Sequence, residues 1–411
     1  MTATRGAVVV GAGQVAAVAA RTLRRRGFDG PIDLIGAEPH APYQRPPLSK
    51  EYLADGARDD LFLLGEQWRA KNEVSLHLGV PAIQIRPQDR TVELADGSSM
   101  PADVVLIATG GRARRLPGVE GHRIHYLRTL DDADRLRAQL FAGARLIVIG
   151  GGFIGSEVAA TARNGGAEVT VVEALDVPLQ RVLGREMGGV CAAIHRAHGV
   201  TLRLGEPVES VVEHGDTVVV TTGGARLEGD LAVVGIGIEP NVDVAVRSGI
   251  TVTDGVLVDE YCRTNLPNVF AAGDVANHYH PLFDEILRVE HFDNASRHAA
   301  AAANNMLGNA TVFDDPHWFW SDQYDLNLQY AGHAREWDEM VVRGSVDDFD
   351  FCAFYLRDGL ILSVFGVERG DEVAATKELI ARKAEVDPRL LADADSDLVA
   401  LAEAYAEVTS P

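Results

Sequence analysis

Cysteine is scarce: Cys191, Cys262 and Cys352 are the only three in a chain of 411 residues. No two of them stand at CxxC or CxxxxC spacing, which argues against a disulfide framework and fits a reducing, cytoplasmic setting. No metal-spaced cluster is visible either, and no metal is expected. Basic residues are outnumbered, 38 Lys and Arg against 60 Asp and Glu, for a formal net charge of −22. Such a chain is not expected to coat nucleic acid or anionic lipid. Long apolar runs are missing too, with none near the ~20 residues of a membrane helix. Residues 7–20 have the composition of a signal-peptide core. The basic residues mostly follow that run, however, and Gly11 and Gly13 interrupt it, so it reads as strand and helix.

Glycine, by contrast, is plentiful: 41 residues, clustered at the ends of apolar runs. That pattern suits an α/β fold with many tight turns, and the length allows two or three domains. The first such turn follows Ala7–Val10. Gly11-Ala-Gly13-Gln-Val-Ala16 leads into an alanine-rich helix, and the next apolar run, residues 32–38, ends in Glu38. The first glycine permits the turn, the second lets a pyrophosphate approach the backbone, and a small third residue lets helix and strand pack closely. Free N–H groups at the helix start then face the phosphates, and the terminal acid meets ribose hydroxyls.

The plan repeats. Residues 145–150 read as a strand, Gly150-Gly-Gly152-Phe-Ile154-Gly155 as the turn and 156–164 as the helix; 167–173 form the next strand, ending in Glu173. A lone glycine fingerprint is weak, but strand, turn, helix, strand and terminal acid together are specific. The chain therefore carries two dinucleotide sites. A carboxylate at Glu173 accepts a ribose 2′-hydroxyl and repels a 2′-phosphate, and no arginine follows before Arg181, so the second site is expected to take NADH. Three further apolar runs, 102–111, 231–241 and 264–276, end in small residues, the last with Asp274 just beyond its carboxyl end, where such sheets bind ligands.

The motifs GAGQVA (11–16), YQRPPLSK (43–50), ATGGRAR (108–114), GGGFIGSE (150–157), GIGIEPN (235–241), NVFAAGDV (268–275) and FWSDQY (319–324) span most of the chain. Together they resemble the FAD-dependent, NADH-utilising ferredoxin reductases that serve bacterial P450s and ring-hydroxylating dioxygenases. YQRPPLSK and FWSDQ are the most specific to that branch. The resemblance implies an α/β fold with two Rossmann-like domains of the glutathione-reductase type plus a C-terminal α/β interface domain. FAD would occupy 1–112 and 246–323, NADH 113–245, and the interface domain 324–411. In the last, 349–367 reads as two strands around an Arg-Asp-Gly turn.

The resemblance also implies roles. Lys50 and Glu157 would form an ion pair near flavin N5, where a cation favours the electron-rich reduced flavin. FAD contacts would come from Gly11, Gly13, Ala16, Glu38, Arg45, Lys50, Ala82, Ala108, Thr109, Gly110, Arg112, Asp274 and Trp320. NADH contacts would come from Gly150, Gly152, Ile154, Gly155, Glu157, Glu173 and Gly237. Glu290 and His291, in a VEHxD run like that of the apoptosis-inducing-factor branch, are further NADH candidates. The residues alone leave other roles open: surface salt bridges for Arg45 and Arg112, core packing for Trp320, a structural role for His291. Glutathione-reductase-like enzymes keep a CxxxxC disulfide beside the flavin; here the matching stretch, YQRPPLSKEYL, has no cysteine, so electrons must leave the flavin directly.

The expected activity is hydride transfer from NADH to FAD, then single-electron delivery to a 2Fe–2S ferredoxin feeding a P450 or dioxygenase, by a monomer or weak dimer. Rubredoxin reductase and a redox-sensing flavoprotein of the apoptosis-inducing type are the alternatives. An acidic ferredoxin meets repulsion from a chain at −22, so docking needs either a local basic patch, with Arg297 and Arg335 as candidates, or apolar contact.

Overall fold

The computed structural model describes residues 6–58 and 60–409. The described chain divides into two compact units: one of residues up to Gln44, Arg58–Arg112 and Glu239–His317, the other of Arg45–Ala57, Ala113–Ile238 and the residues from Trp318 onward. The YQRPPLSK stretch is therefore split: Arg45 to Lys50 belong with the second unit, not with the N-terminal fingerprint.

The first unit is built on a five-stranded parallel sheet in the order Val269–Ala271, Val104–Ile107, Ala7–Val10, Ile32–Gly36, Val74–Leu78. Ala7–Val10 and Val104–Ile107 are buried on both faces, as their unbroken apolar sequences require. Helix Gln14–Arg25 packs on helix Phe292–Met306 through small side chains, among them Ala16, Ala20, Ala299 and Ala302, all fully buried. Alanine on both partners lets the two backbones come close. The run 102–111 contributes only Val104–Ile107 to the sheet, because Ala108 to Gly110 leave it to pass over the Gly11 turn.

The second unit repeats the design. Its parallel sheet runs Thr201–Leu204, Glu168–Glu173, Arg145–Ile149, Leu231–Val234, Ile124–Tyr126. In each sheet the chain leaves the strand before the glycine turn, Ala7–Val10 or Arg145–Ile149, to one side and later returns to the other. The reversal point lies beside that strand, where open α/β sheets bind ligands at the strands' carboxyl ends. The second unit also holds a five-stranded antiparallel sheet, Trp318–Gln323, Leu326–Gly332, Leu360–Val367, Asp350–Arg357, Glu339–Ser345, whose third and fourth strands form the hairpin read from residues 349–367. Helix Gly370–Ala381 packs on it.

Candidate active site

The two fingerprint turns have matching geometry. Gly11 has φ +127°, and a Cβ there would lie 2.1 Å from the Ala108 carbonyl oxygen; Gly150 has φ +101°, and its Cβ would lie 2.3 Å from that of Gly235. Only glycine fits either place. At the second position the environment is the reverse: a Cβ on Gly13 or Gly152 would meet nothing within 4 Å. These two glycines cap helices Gln14–Arg25 and Phe153–Asn164 and have no side chain to offer the first-turn amides. Bare N–H groups facing open space at a helix start suit a pyrophosphate, so the residues present fit a dinucleotide in each unit. Helix Phe153–Asn164 starts earlier than residue 156, because the residues straight after Gly152 are already helical.

At the third position the two turns differ. A Cβ on Gly155 would strike the Gly150 carbonyl at 2.0 Å, whereas Ala16 carries its methyl fully buried. The acids differ as well. Glu38 lies two residues beyond Ile32–Gly36, and its Oε2 accepts a 2.6 Å hydrogen bond from the Tyr43 hydroxyl. Glu173 is the last residue of its strand; its Oε2 accepts from Gly151 N–H at 2.6 Å and its Oε1 from Leu175 N–H at 2.8 Å. The turn that would receive the pyrophosphate thus also fixes the carboxylate meant for the ribose. Near the same turn, Ile154 is exposed, and Gly237, at φ +95°, accepts from Arg114 N–H at 2.9 Å.

Glu157, in helix Phe153–Asn164, is buried and gathers three partners from two segments. Its Oε2 lies 3.2 Å from Lys50 Nζ and accepts from Ser49 Oγ at 2.5 Å; its Oε1 accepts from Ser321 Oγ at 2.8 Å. Thr161 donates to the Ser49 carbonyl at 2.8 Å, so one helix holds both the carboxylate and the turn that brings its cation. The turn itself is a short 3₁₀ segment, Pro46–Ser49, opened by prolines that pre-set φ. Ser49 and Ser321 lie inside PPLSK and FWSDQ, yet were not singled out from sequence. The signal was present: a hydroxyl beside each residue with an assigned role.

Residues 6–299 match the family model described as pyridine nucleotide-disulphide oxidoreductase, and 318–402 match one described as reductase C-terminal. The chain belongs to the pyridine nucleotide-disulphide oxidoreductase family. This oxidoreductase is 40% identical to rhodocoxin reductase of Rhodococcus erythropolis over 95% of its own length and 93% of that protein's. It is 36% identical to putidaredoxin reductase of Pseudomonas putida over the whole of both chains. A crystal structure of the covalent putidaredoxin reductase–putidaredoxin complex aligns with TM-score 0.94 at 36% identity, covering 98% of this chain and 100% of that one.

Despite the family's name, this oxidoreductase has no disulfide: all three cysteines are free and buried. Burial pushes the Cys191 and Cys352 thiols up to about 12 and Cys262 higher still, the reverse of a reactive thiolate. Thr109 donates to the Asn241 carbonyl at 2.7 Å, and the Asn241 side chain returns a bond to the Thr109 carbonyl at 2.9 Å. Gly110, at φ +60°, accepts from Asn241 N–H at 2.9 Å, which ties the ATGG turn to the start of the returning segment. Asp274 lies in the turn Gly273–Val275 after strand Val269–Ala271, and its main-chain oxygen accepts from Arg288 at 3.4 Å. Ala82 opens strand Ala82–Arg86.

The arginines and aromatics are engaged with protein groups. Arg45 donates to the Arg128 carbonyl at 2.6 Å. Arg112 is exposed and flanked by Glu239 and Asp243, each at 3.4 Å. Trp320 stacks on Trp318 at 5.3 Å and donates to Asp322 at 3.1 Å. Glu290 pairs with Arg288 at 2.6 Å. His291 caps helix Phe292–Met306; the protein packed around it pushes its imidazole down to about 4, against the pull of Asp274. Arg297, proposed for ferredoxin docking, lies between Asp293 at 2.8 Å and Asp315 at 3.3 Å, so its charge is locally offset.

Proposed function

We propose that this chain takes two electrons from NADH as hydride onto FAD and passes them singly to a 2Fe–2S ferredoxin that serves a P450 or a ring-hydroxylating dioxygenase. The relatives' names support the reaction: rhodocoxin reductase, putidaredoxin reductase, and the ferredoxin–NAD(+) reductase component of the anthranilate 1,2-dioxygenase system of Burkholderia cepacia. The observation that carries it here is the pair of glycine-capped helix starts, one in each unit, each facing open space at the carboxyl end of a parallel sheet. The bound dinucleotides supply the hydride chemistry and the one-electron release. No described helix is long and apolar enough to cross a membrane, and we place the protein in the cytoplasm.

This chain's residues bind, orient and exclude. Gly11, Gly13 and Ala16, with Glu38, Ala82, Ala108 to Gly110 and Asp274, hold FAD. Gly150, Gly152, Ile154, Gly155, Glu173 and Gly237 hold NADH, and Glu173 selects it over NADPH. Lys50, fixed by Glu157, favours the reduced flavin. Trp320 presents an aromatic face that limits water. Arg45, Arg112, Glu290 and His291 contribute more weakly, since each already has a protein role. With every thiol buried and protonated, electrons leave without a sulfur relay.

The test is an anaerobic titration of the yellow, purified protein with NADH. About one NADH per chain should bleach the flavin bands, and ferredoxin should then accelerate steady-state NADH oxidation many-fold. A colourless protein that refuses added FAD would overturn the reading, and so would NADH oxidation indifferent to ferredoxin.

A further inference from the structure

His278, His280 and His317 are buried in the first unit, and one ring nitrogen from each lies within 4.8 Å of the other two. His278 and His280 alternate along strand Ala276–His280, so both point to one face; His317 ends the segment that follows helix Phe292–Met306. We propose that these histidines form a metal site for a borderline divalent cation, zinc being the best match.

Hydrogen bonding fixes which nitrogens are available. His280 Nε2 lies 3.0 Å from the Asp315 carbonyl oxygen, which accepts and cannot donate, so Nε2 carries the proton. That leaves the lone pair on Nδ1, the nitrogen free to turn toward the other two rings. A carbonyl holding one ring N–H so that the other nitrogen faces inward is the usual support of a metal-bound imidazole. His317 is buried as well. Neither ring nitrogen of His278 makes a hydrogen bond.

The fourth histidine of the cluster is excluded by the same reasoning. His298 Nδ1 accepts from Gly273 N–H at 3.3 Å, which puts the proton on Nε2 and leaves no lone pair for a cation. Its ring stacks on Phe313 at 4.5 Å, and Phe283 lies 4.5 Å from the His280 ring, so aromatic side chains surround the cluster. Three imidazoles without a carboxylate or thiolate suit zinc, cobalt or nickel better than magnesium or calcium. Tetrahedral zinc at ~2.0–2.1 Å from each nitrogen would set them ~3.3 Å apart, a closure of up to about 1.5 Å, and leave one position for water. The cation would tie strand Ala276–His280 to the chain just before Trp318.

The experiment uses full-length, FAD-loaded protein without a histidine tag, stripped with chelator and dialysed against micromolar zinc. Metal and protein are then quantified together. The wild type should hold about one zinc per chain. His280→Gln and His317→Gln should lose it, while His298→Gln should retain it. Should the ligand variants fail to fold, the wild type alone still decides: zinc should raise its melting temperature by several degrees, and cobalt should add ligand-field absorption at wavelengths beyond the flavin. A wild type without stoichiometric zinc and without a zinc-dependent melting shift overturns the proposal. Equal retention of zinc by His280→Gln and His317→Gln overturns it as well.

Discussion

Lys50 Nζ and Glu157 Oε2 are 3.2 Å apart, and their side chains are only 12% and 5% exposed. A charge pair so enclosed contributes little net stability, but removing one partner leaves the other buried and costly. Lys50→Met should therefore lower stability by about 1–3 kcal/mol, softened by the two serine hydroxyls that still serve Glu157. Lys50→Met with Glu157→Gln should recover most of that stability without restoring the rate. Stopped-flow flavin reduction by NADH should slow at least about tenfold in both variants, with FAD still bound. Wild-type rates in either would remove Lys50 from the reaction.

Ser49 and Ser321 act on Glu157 from opposite sides, through Oε2 and Oε1. Each hydroxyl bond to a buried carboxylate is worth about 1.5–3 kcal/mol. Ser321→Ala should leave the KM for NADH within about twofold and slow flavin reduction, because the carboxylate then turns toward its remaining partners. Ser321→Thr, which keeps the hydroxyl, should restore the rate if the strand accommodates the methyl. Loss of FAD in Ser321→Ala would mark the residue as merely structural.

Glu173 is held by the Gly151 and Leu175 amides, and in the proposed NADH site its carboxylate stands where a 2′-phosphate would come. Glu173→Ser should reduce the NADH-over-NADPH ratio of kcat/KM by about tenfold to a hundredfold, chiefly by losing NADH affinity and repulsion together. Some loss of turn order is also expected, because the carboxylate serves the turn as well as the ligand. An unchanged ratio would show that discrimination lies elsewhere.

Much of this was legible in sequence because it is local. Gly11, Gly13, Gly150 and Gly152 stand at fixed offsets from apolar runs, and backbone geometry alone dictates those offsets. The pairing of Lys50 with Glu157 came only through resemblance, since 107 residues separate them and no spacing rule reaches so far. Ser321 and the His278–His280–His317 cluster were missed for the same reason: tertiary packing, not periodicity, brings them in. The rigid hold on Glu173 was also hidden, as a strand-end acid looks identical whether its oxygens face solvent or its own turn.

His195 gives the fold an acid-sensitive element. It is buried, its Nδ1 lies 2.7 Å from the Tyr324 hydroxyl, and burial, with His198 adding, lowers its imidazole to about 4. The unfolded chain protonates near ~6.5 while the folded chain resists until about 4. The stability tied to the neutral ring is therefore complete above ~6.5 and is lost as pH falls from there toward 4, by about 1 kcal/mol at pH 5.5 and about 3 in full. His195→Gln should be less stable at pH 7.5, yet its urea midpoint should fall less between pH 7.5 and 5.5. Parallel profiles would show that His195 already protonates in the folded state as freely as in water.

The absence of a sulfur relay is open to a direct test. Cys191, Cys262 and Cys352 are each fully buried, and their thiols are pushed far above neutral pH. Native protein should resist maleimides over minutes and react only as it unfolds. The triple variant with alanine at all three positions should lose stability, about 1 kcal/mol or more per site from the vacated volume. Its NADH-driven ferredoxin reduction should nonetheless stay within about threefold of wild type at a temperature where it remains folded and yellow. A dithiol enzyme would instead lose turnover to the acceptor while still accepting hydride from NADH. That outcome in the folded, flavin-loaded variant would require one of these thiols to reach the flavin, and so a conformation unlike the one described.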